Sequence, residues 1–248
     1  MDTNYLENNY LTLMGRVTGE KEFSHEIYGE KYYRFNLAIA RLSDITDIIP
    51  VTASERLFKE ESITEGKKIL VKGQFRSYNS YDGERNRLVL TVFAKDVEEI
   101  KEEEASEDEI DFVKKDKTTN EVCLTGFICK RPVYRQTPFG RDIADLLLAV
   151  NRAYNKSDYI PCIAWGRNAK YCDEAPIGTE IKIMGRIQSR PYQKRTADGE
   201  VISKVAYEVS IGSLEVVFEP NTREKEETEI VETETKTEEV ETVETTEG

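Results

Sequence analysis

The chain has 248 residues, 38% of them hydrophobic and 33% charged, with a formal net charge of −13. That length suits one large or two small domains of a soluble protein, and no apolar run approaches the length that spans a bilayer. The four cysteines, Cys123, Cys129, Cys162 and Cys172, lack C-x-x-C spacing and the one histidine, His25, is distant from them, so buried free thiols are expected and neither a metal nor a cofactor is.

The acidity is unevenly spread. Residues 1–97 carry 14 basic and 15 acidic side chains, net −1, and residues 113–218 carry 17 and 12, net +5. Residues 98–112, with 1 basic and 9 acidic, hold −8, and residues 219–248, with 3 and 12, hold −9. Two low-complexity runs account for the deficit, and the segment with the only tryptophan is basic. The N-terminus, M-D-T-N-Y-L-E-N-N, has neither the basic nor the apolar region of a signal peptide, so a cytoplasmic location is expected.

Along the chain, Asn9 to Val17 alternates as a strand, with Leu11, Leu13 and Val17 on one face and Gly15 at a bulge or close approach. The stretch from Asn120 to Ile128 repeats it, placing Gly126 111 residues after Gly15. The same offset carries Tyr28-Gly29-Glu30 onto Phe139-Gly140-Arg141, L-A-I-A-R (Leu37 to Arg41) onto L-A-V-N-R (Leu148 to Arg152), and D-I-I-P (Asp47 to Pro50) onto D-Y-I-P (Asp158 to Pro161). No gap is needed, so the chain is two copies of one module. The offset drifts only in loops: Gly73 falls on Gly185 at 112, and Val97 on Leu214 at 117.

Each copy reads as strand, hairpin strand, strand, short helix, strand, turn, strand. In the second copy these lie near 121–128, 133–150 with a turn at Thr137 to Gly140, 159–165, 168–174, 180–190 and 203–211. Ile181, Ile183 and Ile187 point inward against Lys182, Met184, Arg186 and Gln188; Ile69, Val71 and Phe75 do the same against Lys72, Gln74 and Arg76. Turns at Asp82-Gly83 and Asp198-Gly199 close the last hairpins. Five short strands with a helix before the fourth, in roughly 100 residues, outline an all-β OB-fold, a partly open barrel, although periodicity alone also fits other small barrels. The domains expected are 1–100, an acidic linker at 101–117, 118–218, and a disordered acidic tail at 219–248.

The stretch Ser157 to Gly166, S-D-Y-I-P-C-I-A-W-G, is the focus. Alternation sends Ile160, Cys162 and Ala164 to the core and Tyr159, Ile163 and Trp165 to the other face, where two large rings need a partner. With its neighbours, R-P-V-Y-R-Q-T-P-F-G, L-L-L-A-V-N-R-A-Y, G-T-E-I-K-I-M-G-R-I-Q-S-R-P-Y and a final D-G-E, the second copy closely resembles the bacterial single-stranded DNA-binding protein family. The first copy resembles it less closely. Tandem modules in one chain are similar to the two-OB variant, in which a pair of chains supplies four modules.

The resemblance implies sequence-independent binding and protection of single-stranded DNA in replication, recombination or repair, self-association as a homodimer, and association with the nucleoid. It places base stacking on Tyr154, Tyr159, Trp165 and Tyr192. Around them Arg135, Arg141, Arg152, Lys156, Arg167, Arg186, Arg190, Lys194 and Arg195 are expected to neutralise phosphates. In the first copy Ser43, Ile48 and Ser54 stand where Tyr154, Tyr159 and Trp165 stand in the second. That copy is therefore expected to supply assembly and wall, with secondary contacts from Arg41, Arg56, Arg76, Tyr78 and Tyr81, and with Tyr32 or Tyr33 as further stacking candidates; edge packing is the competing role for these tyrosines. The tail ends E-T-V-E-T-T-E-G, without the proline and phenylalanine tip by which the family docks replication and repair enzymes. No phosphate-binding loop, nucleophile elbow or zinc-protease motif appears, so catalysis is not expected. A tandem OB scaffold serving a phage or mobile element, or an RNA-binding OB protein, are the alternatives.

Overall fold

A computed structural model describes residues 8–41, 43, 45–81, 86–100, 120–195, 199 and 201–220. The expected linker at 101–117, the turn at Asp82-Gly83, Asp198 and the tail beyond residue 220 lie outside the described residues. The first module contains β1 (Asn9–Ile27), β2 (Glu30–Ala40), β3 (Thr46–Ser54), β4 (Lys68–Tyr81) and β5 (Asn86–Glu99). The second contains β6 (Asn120–Ile128), β7 (Val133–Gln136), β8 (Asp142–Arg152), β9 (Lys156–Trp165), helix α1 (Arg167–Glu174), β10 (Glu180–Arg195) and β11 (Val201–Phe218).

Hydrogen bonding runs in the order β2-β3-β5-β4-β1-β6-β10-β11-β9-β8-β7, and extra pairings of β1 with β2 and of β6 with β8 close a five-stranded barrel at each end. Within each, one short parallel contact joins β3 to β5 or β9 to β11, and the other pairings are antiparallel. Alternation fills the barrels as expected: Leu13, Phe35, Leu37, Ile49, Val71 and Phe75 are buried in one, Leu124, Leu148, Ile160, Ile181, Ile183 and Ile187 in the other. Gly15 is a close approach. A Cβ there would meet the Ala38 carbonyl oxygen at 2.7 Å, and one at Gly126 would meet that of Ala149 at 2.5 Å.

The helix appears in only one copy. Where α1 buries Ala169 and Cys172, the first module has two 3-10 turns, Glu55–Leu57 and Glu60–Ser62. The counterpart of Ala169 is Phe58, whose ring packs edge-on against Tyr33 and Phe35. A ring that size in place of a methyl group leaves no room for a helix to lie flat on the barrel.

The modules join edge to edge. In the antiparallel seam of β1 and β6, Leu11 pairs with Val122, its own counterpart in the repeat, so an approximate two-fold axis passes between them. Asn9 brackets Phe75, donating from Nδ2 to its carbonyl (2.7 Å) and accepting its N–H at Oδ1 (2.9 Å). Asn120 does the same to Ile187, at 2.7 and 2.9 Å.

Candidate nucleic-acid interface

Strand β9 brings Tyr159 and Trp165 to the outside of the second barrel, 46% and 38% exposed. The indole is anchored at one edge, where Nε1–H donates to Ser210 Oγ on β11 at 3.1 Å, and Arg186 of β10 lies opposite Ser210 in the ladder. Ile163, expected beside these rings on the open face, is instead buried. It sits in mid-sheet between Asp145 of β8 and Ser210 of β11, and Ile143 on β8 is buried as well.

Tyr192 lies within β10 and not in a loop. Strand β10 runs from Glu180 to Arg195, well past the expected end at 190, with Tyr192 paired to Lys204 of β11 and 39% exposed. Beyond Ser189 the β10–β11 hairpin is a two-stranded arm, whose free edges tolerate Pro191. Tyr78 and Tyr81 likewise lie in β4, 41% and 70% exposed. Tyr154 occupies a 3-10 turn between β8 and β9, fully exposed and with a φ of 62°, a left-handed conformation uncommon for a tyrosine.

The basic residues divide into two groups. Arg135 pairs with Asp145 (2.9 Å), Arg152 with Asp158 (3.3 Å) and Arg190 with Glu208 (3.7 Å). In the first module Arg41 grips Asp47 with two hydrogen bonds (2.7 and 2.6 Å), Arg56 approaches Glu30 (3.6 Å) and Arg76 approaches Asp158 (3.8 Å). Arg141, Lys156, Arg167, Arg186 and Arg195 form no ion pair among the described residues. The Lys194 side chain lies outside the described residues. Arg141 follows the Thr137 to Gly140 turn and donates its N–H to Thr137 Oγ1. Next to it Asp142 accepts from the Tyr134 hydroxyl (2.6 Å) and Gln136 (2.9 Å) and faces Lys170 (3.2 Å); these hydrogen bonds hold its carboxyl down at about 2.

Two junction carboxylates were missed as functional groups, although D-I-I-P and D-Y-I-P displayed them. Asp47 is fully buried and accepts the Ser189 N–H of the other module at 2.7 Å, while the Ile48 N–H donates to Ser189 Oγ at 3.1 Å. Asp158, also fully buried, accepts the Ser77 N–H at 2.8 Å, and the Tyr159 N–H donates to Ser77 Oγ at 2.7 Å. Burial raises both carboxyls. At Asp47 the hydrogen bonds from Arg41 and Ser189 outweigh it and the value is lowered; at Asp158, whose Oδ2 has no hydrogen-bond partner, burial prevails and the value is raised.

This doubled barrel can be set beside known proteins. The model of the single-strand binding protein family matches the chain twice, over residues 8–100 and 119–217. The chain belongs to the single-strand binding protein family. Single-stranded DNA-binding protein B of Bacillus subtilis is 31% identical over 96 residues, which are 35% of this chain and 82% of that protein. The single-stranded DNA-binding protein of Enterococcus faecalis is 32% identical over 96 residues, 36% of this chain; the match spans only 51% of that protein. Among solved structures, the wild-type single-stranded DNA binding protein from Thermus aquaticus covers 86% of this family member, and 95% of its own chain, with a TM-score of 0.63 at 21% identity, a likeness of fold.

Proposed function

We infer that the protein binds single-stranded DNA without regard to sequence, stacking bases on Trp165, Tyr159, Tyr192 and Tyr154 of the second module and neutralising phosphates chiefly with Arg141, Lys156, Arg167, Arg186 and Arg195. Membership of the family supports the substrate class. The observation that carries the residue assignment is the indole, fixed at one edge by Ser210, partly exposed, on one face with Tyr159, while Arg186 lies opposite Ser210 on the next strand. Every base has a π-face, so rings between cations suit a binder that must accept any sequence. The first module, net −1, contributes less of the affinity. A second copy completes the assembly, against the outer face of the seam sheet, where Tyr10 and Met184 are each half exposed.

Because Trp165 is the only tryptophan, its fluorescence reports contact at this site. Adding poly(dT) is expected to quench it, and raising the salt to weaken binding with a log-log slope of about −0.7 for each phosphate neutralised. Trp165→Ala is expected to cost about 1–3 kcal/mol of binding with the melting temperature little changed. Constant emission with bound oligonucleotide would remove the stacking assignment, and a preference for poly(U) would redirect the reading to RNA.

A further inference from the structure

Position by position, the first module has lost its rings, with Ser54 standing where Trp165 stands and Ile48 where Tyr159 stands. The ladders give a different result. In the second module Trp165 lies across from Ile143 and bonds to Ser210. Their counterparts in the first are Ser54, which lies across from Tyr32, and Phe93. The Tyr32 and Phe93 rings lie 5.7 Å apart, and His25 stacks on Tyr32 at 4.8 Å, inclined by 4°. Ser54 itself is buried and donates to Glu30. The aromatic surface has thus moved to the two strands flanking β3.

Cations surround it. The Arg76 guanidinium lies 5.8 Å from the centre of the Phe93 ring and Lys95 Nζ lies 5.7 Å from it. Arg34, exposed, donates to the Tyr78 hydroxyl at 3.0 Å, and its counterpart in the second module is the acidic Asp145. Alternation puts Arg34 with Tyr32, Lys95 with Phe93 and Arg76 with Tyr78 on the outside of the barrel. The patch also runs into the site already described. Arg76 Nε is 3.8 Å from Asp158, whose neighbour Tyr159 is held by Ser77, the residue after Arg76.

We propose that the first module carries its own stacking site, Tyr32 with Phe93, over which the nucleic acid strand leaving Tyr159 lays a further base while Arg34, Arg76 and Lys95 meet its phosphates. This rests on the single-strand binding reading above and extends it across the junction. Fluorescein-labelled oligothymidylates of about 10 nucleotides, within what one OB barrel engages, and of about 30, beyond it, are titrated against the full chain, with anisotropy for affinity and Trp165 emission for the second module. Tyr32→Ala with Phe93→Ser is expected to weaken the long oligonucleotide about tenfold and the short one by less than twofold, with Trp165 quenching retained; Tyr32→Phe is expected to bind as the wild type does. Adding Ser54→Trp to Tyr32→Ile and Phe93→Ser rebuilds the arrangement of the second module and is expected to restore the long-oligonucleotide affinity.

Unchanged affinity for the long oligonucleotide in the Tyr32 and Phe93 variant overturns the proposal. Should the aromatic variants melt early, Lys95→Gln and Arg34→Gln decide instead, since each is exposed and each is expected to flatten the salt slope by about 0.7; unchanged slopes overturn it. Tight binding without Trp165 quenching removes the second-module assignment and leaves this one standing, and no binding at all removes both.

Discussion

Asp47 and Asp158 occupy equivalent places and do the same work, accepting a serine N–H from the opposite module, yet folding moves their carboxyls in opposite directions. The difference lies in the arginines. Arg41 meets Asp47 with both prongs at 2.7 and 2.6 Å, whereas Arg152 reaches Asp158 once at 3.3 Å and Arg76 stands at 3.8 Å. For Asp47, lowered from an ordinary 3.8, the stabilisation is present above that value and is lost as the pH falls through the lowered folded one. For Asp158, raised, the ionised form carries a penalty that disappears as the pH falls through the raised value to 3.8. Asp47→Asn is therefore expected to cost about 3 kcal/mol at neutral pH by leaving Arg41 uncompensated, and Asp158→Asn under about 1 kcal/mol; urea melts at pH 7 and pH 4 measure both, with the gap between the variants narrowing in acid. Equal losses would refute the asymmetry. The repeat made both aspartates visible in the sequence, but their partners lie 142 and 81 residues away, at distances no local pattern reports.

Each barrel is cornered by glycines where strands cross most closely. A Cβ at Gly185 would lie 2.2 Å from the Ser210 carbonyl oxygen, and one at Gly73 would lie 2.3 Å from that of Phe93. These are the two residues that hold Trp165 in one module and form the displaced platform in the other. Gly185→Ala is accordingly expected to push β11 away, cost about 1–3 kcal/mol and reduce Trp165 quenching, as a urea melt and a poly(dT) titration on the same sample would show; full quenching would uncouple the corner from the site. Strands and corners were legible because alternation and an ungapped repeat are local signals. The missing first helix was not, since it turns on Phe58 standing where Ala169 does and on the rings that Phe58 meets. The pairing proposed for Tyr32 with Phe93 was not legible for a related reason: a fixed offset compares a residue with its counterpart on the same strand, and Tyr32 and Phe93 lie on neighbouring ones.

At the scale of the whole molecule, one chain contains the contacts of a symmetric dimer: counterpart pairing at Leu11 and Val122, two asparagine brackets, and two serine–aspartate junctions. The seam joins both barrels into one sheet whose outer face, among the described residues, holds a shallow cleft of about 280 Å³ lined by Tyr10, Thr12, Glu121, Cys123, Met184 and Ser213. A two-fold interface pairs the same patch on both partners, so a second copy can cover this face with the same residues it presents. That arrangement would put four barrels in one particle and turn their stacking faces outward, away from the covered sheet. Met184→Glu, placing a carboxylate beside the seam on the face a second copy would cover, is expected to convert the assembly to single chains. Sedimentation equilibrium checks it: wild type at twice the chain mass and the variant at the chain mass, with Trp165 still quenched by a short oligonucleotide in both. A wild type that sediments as a single chain would mean that the half-exposed Tyr10 and Met184 face solvent and that two barrels, not four, are the working unit.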